Sequence, residues 1–278
     1  MKKIIAAFDG LKYSTSTRDH ALALAKQTGI HLCGYFMDDP VYNSFSLYDV
    51  VVNQQADEQL LDTYRQADDQ LRHASALNFE TNCIQQNLAY TIHADKNIAH
   101  QQIIHESIYG DLLLICKTES LSRYPEKTPT RFVRELLENT CCPVLLVPEK
   151  YTPVQKIVLL YDGAPASVFA IKMFSYILPE YMLLETEIIS VSGTDNMEHT
   201  PDDKLMREFL TQHYPTAKRT ILSGNPEVVI PQHMKHQPPG TMAVLGSYSR
   251  GNVSRWFRQS MADVLMKESD LPLFVAHG

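Results

Sequence analysis

KIIAAFDG at residues 3–10 and KIVLLYDG at residues 156–163 are one phrase written twice: a lysine, an unbroken apolar run of strand length, then Asp-Gly. An apolar run without alternating polar residues is a strand covered on both faces, which is the pattern of a parallel sheet flanked by helices. The far ends repeat as well. CPVLLVPE at 142–149 and LPLFVAHG at 271–278 each place a proline before a short apolar run. Each half therefore opens and closes with a buried strand. The first half is the longer one, and its excess falls in residues 38–88, facing the shorter 192–217. PEKYTPVQ at 148–155 is short, polar and carries two prolines, which predicts a semi-rigid linker between a domain at 1–148 and a second at 154–278.

Within each half, strands and helices alternate. In the first half the expected order is strand 3–8, helix 14–26, strand HLCGYFM, a long solvated helix over 54–77, strand LAYTIH, helix NIAHQQIIHES, strand DLLLIC, helix TRFVRELLEN and strand PVLLV. Ser14 or Thr17 can cap the first helix and Gly29 can end it. The second half repeats this with KIVLLY, SVFAIKMFSYIL, ETEIISV, DDKLMREFLTQH, AKRTIL, PEVVIPQHMK, TMAVLG, SMADVLMKE and PLFVA. Each half reads as a doubly wound α/β unit. In such sheets a ligand sits outside the carboxyl ends of the strands, where strand order reverses.

Composition narrows the function. The chain has 278 residues, 44% hydrophobic and 21% charged, and no apolar stretch approaches the roughly 20 residues of a membrane span. Asp9 and Gly10 end the N-terminal apolar run before a signal peptide's core is complete, so a cytoplasmic protein is expected. A net charge of −7 argues against nucleic acid and anionic membranes as partners. The five cysteines are odd in number and form no CxxC pair, which predicts reduced, buried thiols rather than disulfides or a zinc knuckle.

Three features carry a resemblance: the strand-ending Asp9 and Asp162, the turn and helix GNPEVVIPQH at 224–233, and the closing series VLGSYSRGNVSRWFRQSMADVL at 244–265 with LPLFV beyond it. With them the chain resembles the universal stress protein family in its tandem two-domain form. The resemblance implies stress-response binding and signalling, with five parallel strands per domain in the order 3-2-1-4-5. Nucleotide-binding members carry Gly, two residues, Gly, nine residues, then Gly and Ser or Thr. On that pattern Gly246 and Ser260 take the first and last positions, while Ser249 and Gln259 stand where the other glycines would be. By likeness, ATP or a related adenine nucleotide would bind in the second domain only. Asp162 and Val191 would lie near base and ribose, and Gly246, Ser249, Gly251 and Ser260 near the phosphates.

A phosphate loop works because successive backbone N–H groups converge and a following helix presents its positive end. Gly246 and Gly251 keep part of the needed freedom, and Arg250, Arg255 and Arg258 supply charge; Gln259 projects where the family leaves room. Ser260 also fits a capping box, SMAD, with Asp263 in the Glu role, and both readings stand. The first-half loop at 117–132 has no glycine and is stiffened by Pro125 and Pro129, so no triphosphate cradle is expected there. Thr128-Pro129 reads as an N-cap and first helical residue. Asp9 is either a turn-former beside Gly10 or a polar contact to a ligand.

The histidines give no metal-ligand spacing: His100 and His105 do not share a helical face, and His233 and His236 have no acidic or thiol neighbour in sequence. Cys116, beside Lys117 at the fourth strand's end, reads as a buried cysteine or as a redox-sensitive thiol. Cys141 and Cys142 precede Pro143 and close a helix against the last strand. No nucleophile elbow and no paired carboxylates mark the expected site, so no catalytic residues are assigned. The leading reading is a binding module. A nucleotide-free interaction protein that uses the altered loops and the 38–88 insertion is the rival, ahead of a slow ATPase or phosphotransferase. The apolar edges PVLLV (143–147) and PLFV (272–275) need cover, which pairing with each other as an intramolecular pseudo-dimer provides. Homodimerisation and protein partners are left open.

Overall fold

The computed structural model describes residues 2–40, 42–46, 48, 50, 58–94, 96–192, 202–246 and 260–277. Its first half runs β1 (Lys3–Asp9), α1 (Thr15–Thr28), β2 (His31–Met37), α2 (Glu58–Gln85), β3 (Tyr90–His93), α3 (Ala99–Ser107), β4 (Leu112–Cys116), α4 (Arg131–Asn139) and β5 (Val144–Val147). The second runs β6 (Lys156–Leu160), α5 (Pro165–Ile177), β7 (Glu185–Ser192), α6 (Asp203–His213), β8 (Lys218–Ser223), α7 (Pro226–Lys235), β9 (Thr241–Gly246), α8 (Met261–Glu268) and β10 (Leu273–Ala276). A 3-10 turn at Pro179–Leu183 follows α5.

All of these strands form one ten-stranded sheet in the order β3-β2-β1-β4-β5-β10-β9-β6-β7-β8. Each half has the 3-2-1-4-5 order, with parallel pairing throughout it. β5 and β10 pair antiparallel, Leu273 opposite Leu146 and Val275 opposite Val144, so the two apolar edges cover each other. The remaining edges are β3 and β8, and β8 shows water its exposed Lys218 and Arg219, a pattern that discourages further strand addition. The register of β1 on β2 and of β6 on β7 makes Lys3 equivalent to Lys156 and Asp9 to Asp162.

Packing follows from the sequence pattern. One sheet face buries Ile4, Ala6 and Phe8 with Ile157, Leu159 and Tyr161 against α1, α2 and α5. The other buries Ile5, Ala7 and Val158 against α3, α4, α7 and α8. Ser14 caps α1 by accepting from the Thr17 N–H, and Gly29, at φ 67°, ends the helix by donating to the Ala25 carbonyl.

Three local expectations are corrected. α2 continues to Gln85 instead of stopping at 77, because Phe79 and Cys83, one turn apart, are fully buried beneath it. α4 is capped by Thr130, not Thr128: the Thr130 hydroxyl accepts from Val133 N–H and donates to the Glu119 carbonyl, while the Thr128–Pro129 peptide is cis and precedes the helix. Cys141 is exposed, because it lies in the turn after α4; Cys33, Cys83, Cys116 and Cys142 are buried free thiols.

Candidate functional site

Because β5 and β10 run antiparallel, the strands of the two halves point in opposite directions. Their carboxyl edges open at opposite ends of the sheet. The structure therefore carries two separate switch-point edges, and the repeat lets them be compared position by position.

In the second half, Asp162 is buried and its Oδ1 accepts from Ala164 N–H at 2.9 Å, a tight turn that hands β6 to α5. Val191, also buried, lies near the end of β7, and Ser190 Oγ donates to the Tyr161 carbonyl at 3.0 Å, tying β7 to β6. Gly246 ends β9, the other neighbour of β6. A Cβ at Gly246 would stand 2.3 Å from the Ala166 carbonyl oxygen, 2.4 Å from its carbon and 2.8 Å from Ser167 N. The glycine thus lets the first turn of α5 rest directly on the strand end. Asp162, Val191 and Gly246 are brought together on three adjacent strand ends, beneath the N-terminal end of α5, where Pro165 carries no N–H and the Ser167 N–H donates to the Ala164 carbonyl at 3.1 Å. The positive end of the helix dipole faces these strand ends.

Ser260 takes the N-cap position of α8 with extended backbone, but its hydroxyl makes no cap bond into the helix. The Asp263 carboxylate faces Arg134 Nε of α4 at 3.2 Å, an ion pair between the halves. Ser249 and Gly251, like Gln259 and the three arginines of that loop, lie outside the described residues.

The first-half edge is built differently. Cys116 pairs with Val147 as Gly246 pairs with Ala276, so a thiol stands where the other half has a glycine. Its Sγ lies 3.2 Å from Thr118 Oγ1, and burial pushes the thiol up from its ordinary value, the reverse of an activated thiol. Lys117 turns away from Cys116. Its Nζ reaches the second half, donating to the Ser269 carbonyl at 2.5 Å and to Asp270 Oδ1 at 2.9 Å at the end of α8. Asp9 accepts from Leu11 N–H through Oδ1 and from the Tyr42 hydroxyl, at 2.7 Å, through Oδ2. It is the turn-former, held by a residue of the insertion.

Glu119, which sequence reading passed over, decides the character of this edge. Its Oε1 accepts from the successive amides Ser120 N–H at 2.9 Å and Leu121 N–H at 3.1 Å, with Leu121 in the left-handed region at φ 46°. Successive amides converging on one anion form a nest. Here the anion is the chain's own carboxylate. Burial, and then the neighbouring charge of Asp9, raise the Glu119 carboxyl to about 7. The adjoining cleft, about 480 Å³, is lined by Lys12, Ser14, Thr118, Glu119, Ser120 and Glu126 among others. Only an acid in a loop of small polar residues hinted at this role.

Several solved structures share the fold over the whole chain. A universal stress protein from Archaeoglobus fulgidus DSM 4304 covers 99% of this chain and 98% of its own length, at TM-score 0.69 and 15% identity. A Pseudomonas aeruginosa PAO1 protein described as functionally unknown covers 100% and 92%, at TM-score 0.64 and 15% identity. A protein from Pseudomonas aeruginosa UCBPP-PA14 described as a universal stress protein covers 100% and 93%, at TM-score 0.63 and 16% identity. No protein-family profile matches the chain, and no curated protein matches it. At these identities the likeness is one of fold, and it is the fold that the sequence resemblance implies. Among the described residues, no helix is long and apolar enough to cross a membrane.

Proposed function

From a fold shared over its whole length with universal stress proteins, we propose that this chain is a tandem, stress-response binding module whose second half takes an adenine nucleotide and whose first half serves structure and partners. The domains are 1–148 and 154–278, joined through β5 and β10 as an intramolecular pseudo-dimer.

One observation carries the division of labour. At the first-half edge the amide nest is filled by the Glu119 carboxylate, which a phosphate would have to displace. Repulsion by Asp9 and Glu119 adds to that cost. The second-half edge instead combines Gly246 under the start of α5 with the loop SYSRGNVSRWFRQ at 247–259, which carries three arginines and no acid. In this reading Asp162 and Val191 border the base and ribose, while Gly246, Ser249, Gly251 and Ser260 border the phosphates. Positive charge draws the anion in, and backbone N–H groups hold it.

Titration calorimetry with ATP at two salt concentrations tests the proposal. Arginine attraction alone fades as salt rises, whereas a backbone cradle persists better. The double variant Ser249→Gly/Gln259→Gly is expected to bind about tenfold tighter, ~1.4 kcal/mol. Binding absent from both proteins would leave the nucleotide-free interaction protein as the reading.

A further inference from the structure

Beneath α3, on the sheet face away from α1, three side chains from separate elements converge: Cys33 of β2, His93 of β3 and Glu106 of α3. Their ligand atoms, Sγ, an imidazole nitrogen and a carboxylate oxygen, all lie within 4.8 Å of one another. His93 Nδ1 and Glu106 Oε1 are 3.0 Å apart. Lys3 Nζ is 3.4 Å from the other carboxylate oxygen, Oε2, which leaves Oε1 facing the imidazole. Cys33 is fully buried, whereas His93 and Glu106 are partly open to solvent, so an ion would have an entry path.

We propose that Cys33 Sγ, His93 Nδ1 and Glu106 Oε1 form a binding site for a zinc-type divalent cation. Zinc takes thiolate, imidazole and carboxylate at about 2.0–2.3 Å in a tetrahedron. The edges of such a tetrahedron are about 3–4 Å, so the His93–Glu106 separation already matches one edge, and small side-chain rotations close the others. Binding moves the thiol proton to solvent. Three protein ligands leave the fourth position to water, and Lys3 orients the carboxylate from outside.

The internal repeat supplies the contrast. By register, Cys33 is the counterpart of Glu187 and His93 that of Thr220. In the second half that place holds a closed polar network. Glu187 accepts from Thr220 Oγ1 at 2.6 Å and pairs with Lys156 Nζ at 3.2 Å and His233 Nε2 at 3.3 Å. Glu187 and His233 give the second half a carboxylate and an imidazole, but Thr220 stands in place of a third ligand and no thiol is present. The first half replaces the strand's acid and hydroxyl with a thiol and an imidazole and carries its acid on the helix instead. Both halves keep a lysine, a carboxylate and an imidazole in ion-pair range; what the first half adds is the Cys33 sulfur, which completes a nitrogen, sulfur and oxygen ligand set.

The test uses the full-length protein, stripped of metal and titrated with Zn²⁺ by calorimetry and with Co²⁺ by absorption. The expected result is one ion per chain with a thiolate-to-cobalt charge-transfer band. Cys33→Ser should abolish the band, and His93→Ala and Glu106→Gln should each weaken Zn²⁺ binding at least tenfold, while Cys141→Ser, at the exposed thiol, changes neither. Should Cys33→Ser fail to fold, the partly exposed His93 still decides. A folded His93→Ala protein with wild-type Zn²⁺ affinity overturns the site. So does a band that survives Cys33→Ser, or wild-type protein that binds no stoichiometric ion.

Discussion

Replacing Gly246 with alanine should unseat α5. The new methyl carbon would meet backbone atoms at 2.3, 2.4 and 2.8 Å, against 3.4–4 Å for ordinary contact, so the first turn of α5 must withdraw by about 1 Å. That helix buries Ala170, Ile171 and Phe174 in the core, and the obstructing atoms are backbone, which cannot rotate aside as a side chain can. Overpacking typically costs about 1–3 kcal/mol, and two opposed backbones put this site near the upper end, about 3 kcal/mol. With an m-value of about 2–3 kcal/mol per molar urea, the second half's unfolding midpoint should fall by about 1 M. Cys116→Ala, at the equivalent register position in the first half, removes only a buried sulfur and should cost about 1 kcal/mol. Urea unfolding followed by far-ultraviolet circular dichroism reads both. A Gly246→Ala midpoint within about 0.2 M of wild type would refute the close seating of α5 on β9.

Glu119 has a folded value near 7 against an ordinary 4.5, so the folded state holds the proton more tightly than the unfolded one. Stability should be greatest below about 4.5 as far as this group is concerned, and should fall as pH rises through about 7. Glu119→Gln keeps an oxygen for the two amides and should flatten that part of the profile in thermal melts from pH 5 to 8; an unchanged slope counts against the buried anion. Lys117 is buried and donates to the Ser269 carbonyl and Asp270, where its charge also suits the carboxyl end of α8. Lys117→Met should cost about 1–2 kcal/mol by leaving the Ser269 and Met266 carbonyls without their donor, whereas the exposed Asp270 carboxylate is taken over by water. Chemical denaturation checks this, and a loss under about 0.5 kcal/mol would mean that the bridge is worth no more than a surface ion pair.

Much of the fold was legible because the repeat is written in the strands themselves. KIIAAFDG and KIVLLYDG superpose in register on their second strands, and the apolar PVLLV and PLFV runs could be satisfied only by cover, which they give each other. The true end of α2 escaped because Phe79 and Cys83 are isolated apolar residues in a polar stretch, and their burial depends on β2 beneath them. The Thr130 cap escaped because Thr128-Pro129 offers the same local chemistry two residues early. At the site, Asp162, Val191 and Gly246 could be placed from strand ends alone. The Glu119 nest could not be: it depends on the left-handed backbone at Leu121, which no glycine announces. Cys33, His93 and Glu106 have no spacing signature, since parallel pairing and the crossing of α3 bring them together.

The central claim is tested most directly by counting nucleotide sites. The intact chain, cleared of small molecules, is titrated with ATP by calorimetry, alone and as the Ser249→Gly/Gln259→Gly and Glu119→Gln variants. The account predicts one site per chain, tightened by the glycine pair and unaffected by Glu119→Gln. Two sites, or one whose affinity follows Glu119 and ignores the glycine pair, would place the nucleotide at the first-half edge and contradict it.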